Sequence, residues 1–143
     1  MYKGEYSHTI DAKGRVIIPS KLREALGEGF VIARGLEGCL YVYDAVGWKN
    51  FEEKLDSMPD ITSTELNALR RFMIAGAVDG ELDKQGRVMI PNSLRIHADL
   101  KKDVIFAGVG KRVEIWDKDR WENALPTDMN EIGSKLEAMG LRL

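Results

Sequence analysis

The chain repeats itself. Residues 11–23, DAKGRVIIPSKLR, return as residues 83–95, DKQGRVMIPNSLR, identical at eight of thirteen positions with an offset of 72. After one extra residue the likeness continues more thinly: Val31 and Ile32 match Val104 and Ile105, Tyr43 and Asp44 match Trp116 and Asp117, and Trp48 matches Trp121. Such a repeat constrains the fold more than any local pattern, because one architecture must be made from two related units. Each unit is about 45 residues long, too short to hold a core alone, so the two are expected to pack on each other as a pseudo-dimer.

Both units read in the same order. Residues 5–10 and 78–82 are short strand candidates. An Asp-x-x-Gly turn follows, from Asp11 to Gly14 and from Asp83 to Gly86; Asp opens a type I turn and Gly supplies positive φ at its end. Residues 15–18 and 87–90 are rich in β-branched side chains and read as return strands. Pro19 and Pro91, lacking an N–H, stop them. Ser20 and Asn92 stand where one short helix each would be capped. Leu22, Ala25 and Leu26 share the inward face of the first such helix, and Leu94, His97 and Ala98 that of the second.

A second hairpin follows in each unit, residues 30–33 and 39–43 around Gly35 and Gly38, then 104–107 and 112–116 around Gly108 and Gly110. Asp44 and Asp117 are expected to cap helices anchored in the core by Trp48 and Trp121. Between the units, Thr62-x-x-Glu65 is a capping box. Its helix runs to about residue 75, with Leu66, Leu69 and Met73 as an apolar stripe and Arg70 and Arg71 solvated or paired between protomers. Residues 128–139 read as a last amphipathic helix, with Met129, Ile132, Leu136 and Met139 on one side. The expected organisation is one module over 5–47, a helical linker over 48–76, a second module over 77–120 and a C-terminal helix over 121–143. The fold class is mainly β with short helices, α+β.

Composition excludes several alternatives. With 44% apolar and 31% charged residues the chain is neither disordered nor fibrous. No apolar run is long enough to span a membrane. The first residues lack the apolar stretch of a signal peptide, so a cytoplasmic location is expected. One cysteine and two histidines are too few for a disulfide framework or a typical structural zinc site. Cys39 reads as a small buried apolar group, His8 as a packing or surface residue. No paired carboxylates or nucleophile–base set stands out, so neither an enzyme nor a cofactor nor a small-molecule substrate is expected. The turn from Gly35 to Gly38 lacks the Gly-Lys-Ser/Thr ending of a phosphate loop. The net charge is −2, yet residues 13–34 carry +3 and residues 84–112 carry +5, leaving −10 on the rest. Two basic islands in an acidic chain suit a polyanionic partner, or are merely a solvated mixture of signs.

The repeated Asp-x-x-x-Arg, with Gly-Arg-Val-x-Ile-Pro and Leu-Arg behind it, resembles the AbrB/SpoVT family of DNA-binding domains, here in tandem across most of the chain. The resemblance implies a swapped-hairpin β-barrel to which each module contributes strands, one chain supplying what family relatives build from two. It implies a ring-shaped homo-oligomer and double-stranded DNA as partner. It also implies a nucleoid-associated transcriptional repressor that binds repeated sites upstream of the division and cell-wall gene cluster, its own promoter among them.

Arg15 and Arg87 leave tight turns at the base of a strand, where a guanidinium can fork onto a phosphate or onto guanine O6 and N7. The alternative is an ion pair with Asp11 or Asp83; the resemblance favours DNA contact. Asp11 and Asp83 read as turn-formers that orient the arginines. Lys13 and Lys84 are phosphate contacts or solvated turn residues, Gln85 is a candidate for a base edge, and Lys3, near the first strand, is a further candidate. Gly14, Gly86, Pro19 and Pro91 are structural. Arg23 and Arg95 either reach phosphate or brace the hairpin. A second reading is a partner-binding module of the antitoxin kind; its usual disordered tail is missing, because residues after 121 read as an ordered helix.

Overall fold

The computed structural model describes residues 1–59 and 63–143; Thr62, the expected capping residue, lies outside them. The chain begins β1 (Tyr2–Thr9), β2 (Arg15–Ile17), α1 (Ser20–Leu26), β3 (Val31–Arg34), β4 (Leu40–Tyr43), α2 (Ala45–Asp56) and α3 (Ser63–Leu69). A π-helical turn at Arg70–Ile74 leads to β5 (Val78–Asp79), β6 (Arg87–Met89), α4 (Asn92–Ala98), β7 (Asp103–Gly110), β8 (Val113–Asp117), α5 (Lys118–Glu122) and α6 (Met129–Ala138). The fold is mixed α+β and antiparallel. It is not mainly β: helices hold more of the described residues than strands do.

The strands pair across the repeat. β1 lies along β7 for all of its length, from Tyr2 opposite Gly110 to Thr9 opposite Asp103. Its counterpart β5 pairs with β3. β4 and β8 meet in the middle, Leu40 opposite Ile115 and Val42 opposite Val113, giving a six-stranded sheet in the order β1-β7-β8-β4-β3-β5. The return strands β2 and β6 leave their own turns and pair with each other, Val16 opposite Val88, in a separate ribbon. The sheet stays open, with β1 and β5 as its edges, so the expected barrel is not closed. β5 is followed by Gly80, whose N–H still bonds the Phe30 carbonyl at 2.8 Å and where a Cβ would come within 2.0 Å of the Phe30 ring.

The apolar alternation explains the layers. Leu40, Val42, Val104, Phe106, Val113 and Ile115 point to one side of the sheet. They pack there with Val16, Ile18, Val88 and Ile90 of the ribbon segments and with Leu22, Leu26, Leu94 and Ala98 of α1 and α4. This core draws from both repeats. The opposite face carries Cys39, Tyr41, Tyr43, Ile105 and Trp116, covered by Met73 of the linker and by the partly buried Trp48, Phe51, Phe72 and Trp121. The Cys39 thiol, pushed up to about 12 by burial, is the inert apolar group expected of it.

Several local expectations change. The cap positions of α1 and α4 are Pro19 and Pro91, and neither helix has a side-chain cap, because proline carries no side-chain acceptor. Ala25 is exposed, while Leu94 and Ala98 are buried and His97 is half-buried as expected, its Nε2 2.9 Å from the Gly35 carbonyl. Asp44 caps α2 through the Gly47 N–H and also accepts the Tyr2 hydroxyl. Asp117 makes no capping bond; it is buried and accepts the Lys101 ammonium at 3.0 Å. Gly108 belongs inside β7, where a Cβ would meet the Lys3 backbone N at 2.3 Å. Arg70 bonds Asn67 and Asp56, and Arg71 is exposed.

Candidate functional site

Each Asp-x-x-Gly turn is wound around its aspartate. Asp11 Oδ1 accepts the backbone N–H groups of Lys13 and Arg15, both at 2.9 Å, and Oδ2 accepts Arg15 Nε–H at 2.7 Å. Asp83 repeats this with Gln85 at 2.8 Å, Arg87 N–H at 3.0 Å and Arg87 Nε–H at 2.8 Å. The Gly14 and Gly86 N–H groups close the turns onto the Asp11 and Asp83 carbonyls, with φ of 84° and 75°. The Arg15 backbone N–H, then its guanidinium, hold the Asp11 carboxyl below its usual range against some desolvation, and Arg87 does the same for Asp83. Among the described residues, Nε is the side-chain atom of each arginine that is engaged. Among the described residues no partner occupies the two η nitrogens, so the end of each fork that recognises phosphate or guanine is unspent.

The ribbon then orients both arginines. Ile90 N–H bonds Gly14 O at 2.8 Å and Ile18 N–H bonds Gly86 O at 3.1 Å. By alternation, Arg15–Met89 and Ile17–Arg87 are the non-hydrogen-bonded pairs, whose side chains stand closest. Residues directly opposite, and residues two apart, share a face, so Arg15, Ile17, Arg87 and Met89 lie on one side. Val16 and Val88 lie on the other, in the core. The two arginine Cα atoms sit diagonally, about 8 Å apart by standard strand geometry.

Arg23 and Arg95 act across the repeat. Arg95 Nε–H donates to Ile90 O at 2.9 Å, and its guanidinium lies over Gly14, where a Cβ would fall 2.9 Å from Cζ. The Arg23 guanidinium lies over Gly86, where a Cβ would fall 2.9 Å from Cζ. Each turn is thus built by its own aspartate and lies beneath an arginine from the other copy.

Lys13, Lys84 and Gln85 are exposed on the two turns. Lys3 is not gathered with them: it lies six residues before Thr9 in β1, about 20 Å of extended strand. The residues that sequence reasoning passed over are Ile17 and Met89, 42% and 56% exposed between the arginines. Their signal was present in the alternation Arg-Val-Ile and Arg-Val-Met, which buries the valine and must therefore expose its neighbours. A groove of about 760 Å³ lies elsewhere, between Tyr2, Phe51, Lys54 and Arg112. Among the described residues no group of three or more His, Cys, Asp or Glu is placed to hold a metal ion, and no helix is long and apolar enough to cross a membrane.

The family model described as MraZ protein, which compares that family to antitoxins, matches residues 1–71 and again residues 73–142. The chain is 58% identical over 140 residues to the transcriptional regulator MraZ of Caldanaerobacter subterraneus subsp. tengcongensis, covering 96% of this chain and 97% of that one. It is 50% identical over 141 residues to the protein of the same name from Lachnoclostridium phytofermentans, with 99% of each covered. The relative from Thermoanaerobacter sp. strain X514, also a transcriptional regulator MraZ, is 52% identical over 144 residues, with 99% and 100% covered.

Proposed function

The chain belongs to the MraZ family, and from that membership we propose that it is a DNA-binding transcriptional regulator that reads duplex DNA with the β2–β6 ribbon. The carrying observation is the pair of arginines fixed by Asp11 and Asp83 on one solvent face of the ribbon, each with its η nitrogens unspent. A two-stranded ribbon fits the major groove, and a fork held at Nε offers its outer edge to guanine O6 and N7. In this reading Arg15 and Arg87 meet bases, Lys13 and Lys84 meet phosphates, and Gln85 reaches a base edge or sugar. Asp11 and Asp83 position rather than touch, since a free carboxylate repels phosphate. Lys3 drops to a distant phosphate contact at most.

The finer picture is a nucleoid-associated cytoplasmic repressor acting on repeated sites before the division and cell-wall genes. It works as a ring of copies in which residues 5–47 and 77–120 are the paired modules, joined by 48–76 and followed by 121–143. The stripe of α6 supports assembly: Met129, Leu136 and Met139 are all exposed.

A mobility shift on the protein's own upstream DNA at two salt concentrations tests the core of this reading. Arg15→Ala is expected to lose sequence preference, by roughly 1–3 kcal/mol per lost guanine pair. Lys13→Ala is expected to weaken all sequences alike and to lower the salt slope by about one. Binding that ignores salt and sequence, or an Arg15→Ala protein that binds normally, would refute it.

A further inference from the structure

The ribbon's outer face is half apolar, and this is unusual for a surface that needs only to stay soluble. Antiparallel strands packed on one side normally expose polar residues on the other. Here both copies expose an apolar side chain at the same register position, Ile17 in one and Met89 in the other, while Val16, Ile18, Val88 and Ile90 already fill the core. Each stands directly opposite an arginine, Ile17 against Arg87 and Met89 against Arg15. The face is therefore a small parallelogram with guanidinium groups on one diagonal and apolar groups on the other.

Resting on the DNA reading above, we infer that Ile17 and Met89 are specificity-determining residues that pack on the 5-methyl groups of thymines lying between the bases met by the two arginines. The major groove offers few apolar groups, and the thymine methyl is the one that distinguishes a base; phosphates and sugars give an apolar side chain nothing comparable. Side chains on the same face as the arginines, at non-hydrogen-bonded positions where neighbours stand closest, enter the groove with them. The Ile17–Met89 diagonal is about 8 Å, which spans two to three base steps of about 3.4 Å. The two contacts differ in character. Ile17 is β-branched and stiff at χ1, so it fixes the position of one methyl. Met89 is unbranched and adapts to several. With Lys13 aligned to Gln85 and Ala12 to Lys84, the two halves of the ribbon are chemically unequal. The preferred site is accordingly two unlike half-sites, strict on the Ile17 side and permissive on the Met89 side.

The test begins by enriching duplexes from a randomised pool with the full-length protein. Each thymine of the enriched site is then replaced singly by deoxyuridine, which lacks only the methyl. The expected loss is about fourfold at a position meeting Ile17, the transfer value of one buried carbon, and less at a position meeting Met89. In Ile17→Ala the sensitivity at the first position disappears, and in Met89→Ala that at the second, with melting midpoints unchanged. Deoxyuridine without effect at every position, or effects that persist in both alanine variants, would overturn the inference while leaving the arginine reading intact. So would an Ile17→Ala protein whose mass by light scattering falls while its DNA affinity is unchanged, since Ile17 would then be covering a second copy. Failure to enrich any duplex, or enrichment unaltered by Arg15→Ala, would instead remove the DNA reading and this inference with it.

Discussion

The two repeats are alike at the ribbon and unlike at the sheet. At the ribbon the two turns match bond for bond, with Oδ1 on two N–H groups and Oδ2 on Nε, and each is roofed by the other's arginine. At the sheet, β1 has eight residues and β5 two, and α2 has twelve where α5 has five. Asp44 caps its helix and holds Tyr2; its equivalent Asp117 is buried against Lys101. The difference follows from neighbours. Each turn faces a copy of itself, so any drift on one side meets the same partner on the other. Each sheet edge faces different chain, and the sequence there was free to take separate solutions.

The sharpest way to break the comparison is to remove one member. Residues 1–60 alone carry β1 without β7, β3 without β5 and β2 without β6. They are expected to give no cooperative melt by circular dichroism, because the main core mixes both repeats. A cooperative monomeric melt would mean the repeats are independent.

A smaller effect separates the matched glycines. Both have positive φ, and an alanine in that region costs about 1–2 kcal/mol. A Cβ at Gly14 would also lie 2.7 Å from the Ile90 carbonyl, which is backbone and cannot step aside. At Gly86 the nearest atom is the tip of Arg23, which can swing away. Gly14→Ala should therefore lower the melting midpoint clearly more than Gly86→Ala; equal losses would show that the two turns are equivalent in strength as well as in shape.

The smallest effect is with pH, and here the copies should agree. Asp11 and Asp83 have lowered folded pKa values, so what they contribute is fully present above the unfolded Asp value of about 3.9 and is lost as pH falls through the folded one. Asp11→Asn and Asp83→Asn should each remove part of the loss of stability between about pH 5 and pH 2, by similar amounts, with little change near pH 7 beyond the lost bonds. Unequal responses measured by melting across that range would show that exposure, not bonding, governs the turns.

Much of the molecule was readable from its residues, and the exceptions have physical causes. The turns, the proline stops, the burial of Cys39 and the partly buried Trp48 and Trp121 followed from chemistry local to each residue. Strand partners did not: a run such as Arg-Val-Ile specifies which side is buried but not whose strand completes it. The need for a glycine at Gly80 depends on Phe30, fifty residues away, and the inclusion of Gly108 in β7 depends on the close passage of Lys3. At the site, residue types placed the arginines on the turns, but their common face and the apolar diagonal between them emerged only with the register of β2 against β6.

The pairing of β1 with β7 also sets a timetable. Tyr2 waits for Gly110 and Thr9 for Asp103, about a hundred residues later in synthesis. At 5–20 residues per second, β1 leaves the ribosome roughly 5–20 s before its partner exists. For that interval the first repeat carries an unpaired strand edge and half of a core, the condition under which a nascent chain is most exposed to wrong partners, including the same segment of a neighbouring chain. β1 is then the first part of the molecule to be made and among the last to be finished.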